Sequence, residues 1–337
     1  MFHLALVSAA LSLFPRAFAH GGVLAYSNAG KWYDGWHPYN TPVGQTSIQR
    51  PWATYDPIQD PASSTIACND DGMSSAAQLT ATVAAGSAIV AYWNDWPHPY
   101  GPMLTYLAQC PGSTCTGVSA NSLKWSNLML AIPSHLQFKI DQSGLISGTV
   151  GNGYWGSGKM IDNNNTWTTT IPSSVPSGNY LIRFETIALH SLPAQFYPEC
   201  AQITITGGGN KAPSASELVS FPGAYKSTDP GINLNLYSNE AQTSTQYIIP
   251  GPPLYGTGGT VTQPPSNPGT SAPAPTSAPP ATTQSPPPPQ GTVAQYGQCG
   301  GIGYSGATGW SAELDPIGVI VLMFKNDVAS PRLRARS

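Results

Sequence analysis

An all-β architecture of short strands, either a sandwich or a barrel, follows from three features of the 337-residue sequence. β-Branched and aromatic runs of strand length recur between residues 20 and 250, Gly, Pro, Asn and Ser punctuate them at short intervals, and almost nothing repeats at helical period. With 35 Gly and 34 Pro, the chain carries too many breakers for a coiled coil or helical bundle. Its 13 basic and 16 acidic residues leave a net charge of −3 and no block of one sign, so neither nucleic acid nor membrane is expected as a partner. Nine Trp and sixteen Tyr in so weakly charged a chain suit a neutral ligand met by aromatic faces.

The elements can be justified in order. Leu4 to Phe14 is an apolar run of signal-peptide length, and Ala17-Phe18-Ala19 supplies small residues before a cleavage point, although Met1-Phe2-His3 lacks the usual cation. Residues 1–19 therefore read as a secretory leader, and His20 as the first residue of a secreted, extracellular protein. Tyr26 to Pro61 reads as a long irregular surface loop. Strands are expected at Gln78 to Val83, Ala88 to Trp93, Tyr180 to Ala188 and Ala201 to Thr206. Between Gly251 and Gln290 thirteen prolines fall among Ser, Thr and Gly, which marks residues 246–291 as an extended linker unable to build a core. Residues 292–337 follow it as a short appendage, and 20–245 remain as the main domain.

Cysteine usage agrees with an oxidising compartment. Four cysteines allow three pairings; Cys110 and Cys115 are close enough for a local clip, which leaves Cys68 with Cys200, while Cys299 stands apart. Asn164-Asn165-Thr166 is a glycosylation sequon, with Asn164 as the acceptor.

The chemistry lies in the histidines. A chain that starts at His20 presents an imidazole and a free α-amino group on one residue, and the amine titrates near neutral pH, at about 7.7–8.0. Both nitrogens can chelate one metal ion. His98, on the breaker-rich turn His98-Pro99-Tyr100-Gly101-Pro102, offers a third nitrogen, and a planar nitrogen set favours Cu(II). His37 and His135 have no motif around them and read as surface positions; Tyr39 and Tyr237 are candidates to stack on sugar rings.

Several separated motifs occur in a fixed order: His20 at the cleavage point, HxxGPxxxYL from His98 to Leu107, IPxxxxxGxYxxRxExxxxH from Ile171 to His190, QxYPxC from Gln195 to Cys200, and FPGAYKSTDPGINLNLY from Phe221 to Tyr237. Together they resemble the fungal lytic polysaccharide monooxygenases of auxiliary activity family 9, over residues 20 to about 240. The resemblance implies an immunoglobulin-like or fibronectin III-like antiparallel β-sandwich with long surface loops. It also implies one copper ion held by His20 and His98 with Tyr197 at the axial position, His190 and Gln195 as groups that hydrogen-bond the reacting oxygen, and Arg183 with Glu185 supporting them. The interval Ser191 to Ala194 between His190 and Gln195 is short for this pattern. The same two disulfides are implied.

Such a site, with open positions on the metal, suits activation of O₂ or H₂O₂ and oxidative cleavage of cellulose or a related β-1,4-glucan at C1 or C4. The implied partners are the glucan and an external electron donor, either a small reductant or a redox protein such as cellobiose dehydrogenase, with the enzyme acting as a monomer. Two other classes compete. A glycoside hydrolase needs two carboxylates about 5–9.5 Å apart, and no close pair stands on an obvious turn. A non-catalytic carbohydrate-binding sandwich would bind glucan without oxidising it.

Beyond the linker, Gln295 to Gly306 resembles the opening of the fungal family 1 cellulose-binding module, a small unit stapled by disulfides. After Cys299 no further cysteine follows, and only Tyr296 matches that module's flat aromatic triad, so residues 292–337 are expected to be disordered and inert. Deleting them should leave adsorption to crystalline cellulose unchanged in a depletion isotherm; a marked loss would restore the module.

Overall fold

The computed structural model describes residues 20–120 and 137–257, with the backbone of 292–293 and 309–310. The expectations for the leader, His135, Cys299 and nearly all of the linker and tail lie outside the described residues. The chain divides into two units, residues 1–265 and 266–337. In the second, Thr292–Val293 and Gly309–Trp310 form a two-residue parallel pair.

Among its described residues the first unit contains twelve strands, two short α-helices and one 3-10 turn at Ala215–Glu217: β1 (Val23–Asn28), β2 (Lys31–Asp34), β3 (Ala81–Ala84), β4 (Ala88–Trp93), β5 (Met103–Gln109), β6 (Gln137–Ser143), β7 (Leu145–Gly148), β8 (Gly153–Trp155), α1 (Gly156–Asp162), β9 (Thr166–Thr170), β10 (Gly178–Ala188), β11 (Gln195–Thr206), β12 (Leu218–Val219) and α2 (Asn239–Thr243). A four-stranded sheet, β2-β1-β4-β9, faces a six-stranded sheet, β12-β6-β5-β10-β11-β3. This is the β-sandwich of the sequence reading. One pair departs from the antiparallel rule: the edge strand β3 runs parallel to β11. A second departure lies in the segment read as irregular. Tyr26 to Asp34 forms most of the β1–β2 hairpin, because Ala29 and Gly30 both take positive φ (49° and 77°) and give a tight turn whose twist matches the strands.

Two cores follow from the two-residue period of β10 and β11. Tyr180, Ile182 and Phe184 point between the sheets, where they meet Val23, Tyr26, Trp93 and Ile203. Leu181 and Ile187 point to the other face of the six-stranded sheet and pack with Tyr106, Phe196, Phe221 and Tyr225 under the long loops. Both faces of the sheet are thereby covered, which is why β10 is buried at nearly every position.

Arg183 and Glu185 share this outer face and are 1% and 0% exposed. Arg183 forms a two-pronged ion pair with Glu185 (both 2.7 Å) and donates to the carbonyls of Ala67 (2.8 Å) and Ile66 (3.0 Å). The Tyr225 hydroxyl donates to Glu185 (2.6 Å). The expectation that this pair supports the histidine site is therefore corrected: alternation along β10 turns both side chains to the opposite face, where they anchor loop 66–67 and the Phe221–Tyr225 segment. The Cys68–Cys200 and Cys110–Cys115 disulfides are both present, and the first ties the same loop to β11. Closing a loop of 132 residues stabilises by about 5 kcal/mol in the chain-entropy picture.

The boundary of the folded unit also moves. Residues 246–257, assigned to the linker by composition, are packed on the body. Tyr247 meets Trp155 edge-on with its hydroxyl on the Gly231 carbonyl, and the Tyr255 N–H donates to the Lys139 carbonyl (2.8 Å). Aromatic anchors at 247 and 255 outweigh three prolines in between. Lys139, 1% exposed, donates through Nζ to the Pro250 carbonyl (2.9 Å) and to Gln142 Oε1 (2.8 Å).

Burial lowers the Lys139 pKa from 10.5 to about 7, with Glu185 opposing weakly. Between those values the unfolded chain holds a proton that the folded chain has released, so stability rises with pH across that window, by at most about 1.4 kcal/mol per unit. Urea unfolding from pH 7 to 9 should show this slope, and Lys139→Met should flatten it and raise stability at pH 6. An unchanged slope would contradict the assignment.

Candidate metal centre

Three rings converge at one end of the sandwich. The His20 and His98 centroids are 6.1 Å apart, and each lies 6.2 Å from the ring of Tyr197. A single metal bound by two imidazoles at about 2.0–2.1 Å per nitrogen separates their centroids by roughly this distance.

His20 is positioned by main-chain contacts at the start of β1. Asn94, just past β4, accepts from the Gly22 N–H (3.0 Å) and donates to the His20 carbonyl (3.3 Å). This approach leaves no room for side chains: a Cβ at residue 21 would collide with the Asn94 amide, and one at residue 22 with Glu199 and the Trp52 ring. Gly21 and Gly22 are steric requirements of the grip. Asp56 Oδ1 lies 3.5 Å from His20 Nδ1 and is 72% exposed, which makes it a weak, solvated partner.

His98 stands on a loop pinned at several points. The Trp96 indole donates to the His98 carbonyl (3.0 Å) and packs edge-on against the rings of His98 (5.3 Å) and Tyr197 (4.8 Å). Asn165 fixes the loop from α1's far side: its carbonyl accepts from the Trp93 N–H (2.8 Å) and its side chain from the Trp96 N–H (3.1 Å). Asn165 reaches both through a left-handed backbone, φ 57°, which Asn tolerates. At Gly101, φ 151°, any side chain would strike the Ile187 carbonyl. That close approach lets the Tyr100 carbonyl accept from the Leu189 N–H (3.0 Å) and seats His98 beside the end of β10.

The β10–β11 pair supplies the remaining groups. Thr186 pairs with Tyr197 and Ala188 with Gln195, so Gln195 and Tyr197 share the inward face, and the Tyr197 hydroxyl donates to Gln195 Oε1 (2.8 Å). That bond occupies the Gln195 carbonyl and leaves its amide N–H groups as the donor side of the residue. Burial chiefly, with Asp56 and Glu199 adding, raises the Tyr197 phenol far above the physiological range, so it remains a neutral O–H. His190, two residues past β10, stacks on His98 with centroids 4.1 Å apart and planes 14° apart. Burial first, then the neighbouring His20, lowers the His190 pKa, which favours the neutral form of its imidazole.

The structure thus gathers His20, His98, His190, Gln195 and Tyr197. It leaves others elsewhere. His37 is half-buried, and its N–H bonds Gln45. Tyr39 is 67% exposed against Tyr55, Tyr237 is 69% exposed, and Asn164 lies exposed beside Asn165. Sequence reasoning missed Asn94, Trp96, Asn165 and Asp56. A polar residue directly after an apolar strand was a usable sign for Asn94; Asp56 had none. Among the described residues no cluster of three His, Cys, Asp or Glu side chains is placed to hold a metal ion.

Comparison with known proteins agrees with this arrangement. The family model of Auxiliary Activity family 9 (formerly GH61) matches residues 20–247. An AA9 family lytic polysaccharide monooxygenase-like protein, CEL1, of Agaricus bisporus is 66% identical over 308 residues, 91% of this chain and 91% of the relative. AA9 family lytic polysaccharide monooxygenase B of Heterobasidion irregulare is 54% identical over 73% of this chain and 96% of its own. Among solved structures, that of HiLPMO9B matches with a TM-score of 0.62 at 51% identity, covering 70% of this chain and 99% of the other. A cellulose-active polysaccharide monooxygenase from M. thermophila matches with a TM-score of 0.59 at 34% identity, covering 70% and 99%. With its histidine pair, inward-facing QxY strand and match across residues 20–247, the chain belongs to Auxiliary Activity family 9.

Proposed function

We propose that the chain is a secreted, copper-dependent lytic monooxygenase that cleaves the β-1,4-glucosidic bonds of cellulose oxidatively, with O₂ or H₂O₂ and an external electron donor. The observation that carries this reading is the triangle of His20, His98 and Tyr197 rings, each side 6.1–6.2 Å, at the start of the family match. Family membership supports an oxidative monooxygenase; copper, cellulose and the leader 1–19 are the steps added here.

The donor set fits copper. Two imidazoles and, once residues 1–19 are removed, the α-amine of His20 give three nitrogens, a set copper favours over the other divalent metals. Bound there, copper would supply one-electron chemistry with O₂ or peroxide. The protein does the rest. Asn94 and the two glycines fix the His20 main chain, while Trp96 and Asn165 fix the turn carrying His98. Preorganised ligands and their hydrogen-bonded supports are what metal affinity and reactivity depend on. Tyr197 closes one side of the site with a neutral hydroxyl already donated to Gln195, so it would add no negative charge beside a bound metal. Gln195, its carbonyl already taken by Tyr197, would have its amide N–H groups to donate, and His190 places its ring beside that of His98.

The two carboxylates nearest the site do not form a hydrolytic pair. Asp56 is exposed beside His20, whereas Glu199 is fully buried beneath Gly22, and burial raises its pKa far above the carboxylate range. A glycosidase needs both carboxyl groups to reach one bond.

Intact-mass and N-terminal analysis of the secreted protein should show a chain that begins at His20 with two disulfides and binds one equivalent of Cu(II). On cellulose it should release oxidised oligosaccharides only with reductant, and a chelator should stop it; undiminished release of unoxidised sugars without reductant would refute the assignment. His98→Ala should abolish tight copper binding. Asn94→Ala should weaken it by roughly 10–100-fold in a Cu(II) titration, as expected for loss of a ligand-orienting partner.

A further inference from the structure

The outer face of the four-stranded sheet carries an aromatic pair that takes no part in the candidate metal centre. Trp32 is 54% exposed, the only exposed tryptophan among the described residues, and its ring lies 4.7 Å from that of Tyr92. Register places both rings on the outward side. Trp32 pairs with Ser27, Ser27 with Val90 and Val90 with Thr168, one row across β2, β1, β4 and β9, and Tyr92 opposite Thr166 belongs to the next. Paired residues share a face, and Tyr26, Ile89 and Trp167 beside them point into the core instead. Ser27 lies four residues along β1 from Val23, about 13 Å at ~3.3 Å per residue, and Val23 pairs with Trp93 at the end where the histidines meet. The aromatic pair therefore belongs to a different surface.

The polar edges of both rings are held, which leaves their faces as the contact surface. The Trp32 indole donates to Asp34 Oδ1 (2.9 Å), and the Tyr92 hydroxyl is 2.9 Å from Ser27 Oγ. Asp34 is the one charged residue in these two rows, so an ionic partner finds little to pair with. A sugar ring finds more: aromatic faces attract its C–H groups, and the threonine hydroxyls of β9 can exchange hydrogen bonds with its O–H groups. A second copy of the chain fits poorly, because the sheet spans about 14 Å across its strands and about 17 Å along β9, far short of the ~800 Å² per partner in a stable dimer. The two ring planes are 54° apart, so they cannot both lie on a flat crystal surface. They form a shallow cradle for one chain.

We infer that this outer face binds a single neutral glucan chain, as an attachment site separate from the histidines. The glucan is that of the functional reading above, but the site needs no metal. Held there, a chain is kept near the enzyme without entering the reaction.

The test uses the full secreted chain in copper-free form, titrated with cellohexaose and followed by amide NMR. Saturable shifts should centre on Ser27, Trp32, Tyr92 and Thr168. Trp32→Ala should weaken this binding by roughly tenfold, equivalent to about 1.4 kcal/mol. Thr168→Glu, which keeps both rings and adds a charge, should weaken it as well, and both variants should bind Cu(II) as tightly as wild type. Polygalacturonate, an anionic chain, should give no shifts on this face, and wild type and Trp32→Ala should adsorb equally to crystalline cellulose. Shifts confined to residues around His20 and His98, or equal cellohexaose affinity in wild type and Trp32→Ala, would overturn the proposal. So would dimers that Trp32→Ala abolishes, or cellohexaose binding that appears only after a glycan is removed from Asn164. Because the titration needs no metal, failure to bind copper would refute the copper reading separately.

Discussion

The unbroken antiparallel register between β10 and β11, from Gly178 opposite Ile205 to Ala188 opposite Gln195, is the constraint on which the rest of the molecule depends. With a period of two, that register decides which side chains look between the sheets and which look outward. Shifting it by one residue would exchange Tyr197 with Phe196 and Phe184 with Arg183. The candidate metal centre and the outer ion pair would then each be turned to the wrong face. The Cys68–Cys200 disulfide and the Arg183 bonds to Ala67 and Ile66 act on this pair from the outer side. The inter-sheet aromatic core holds it from the other.

Burial of charge shows how much the outer core depends on this register. Arg183 and Glu185 are removed from water completely, which is tolerable only because every strong donor and acceptor finds a partner: each other, two loop carbonyls and Tyr225. Arg50 is buried without a carboxylate, and its two terminal nitrogens, though not its Nε, find acceptors. It is fully buried and spreads its donors over the carbonyls of Gly72, Cys115 and Val118 and the side chain of Gln202, which binds the Cys110–Cys115 turn to β11. Long loops remain ordered here because buried cations collect their carbonyls.

Much of this was legible in the sequence. Alternation at Ile203 and Ile205, the Ala88 to Trp93 run and the breakers between them indicated an all-β sandwich or barrel, the family resemblance narrowed this to a sandwich, and the QxY spacing placed Gln195 and Tyr197 together. The two-residue hairpin turn at Ala29-Gly30 was missed because Ala is an unusual choice for positive φ. Arg183 and Glu185 looked like site residues because they share a motif with His190; three-dimensional alternation, invisible in a motif, separates them. Residues 246–257 looked like linker because proline count says nothing of Tyr247 and Tyr255 as anchors. Asn94 and Asn165 act through main-chain contacts across 69 or more positions, and short-range patterns do not register such distances.

The grip on His20 lies wholly on one side of the expected cleavage point. Asn94, Glu199 and Trp52 meet atoms of residue 20's carbonyl and the two glycines that follow, all downstream of the bond that leader removal would break. On the reading that residues 1–19 are a leader, freeing the α-amine would leave in place the very contacts that orient it.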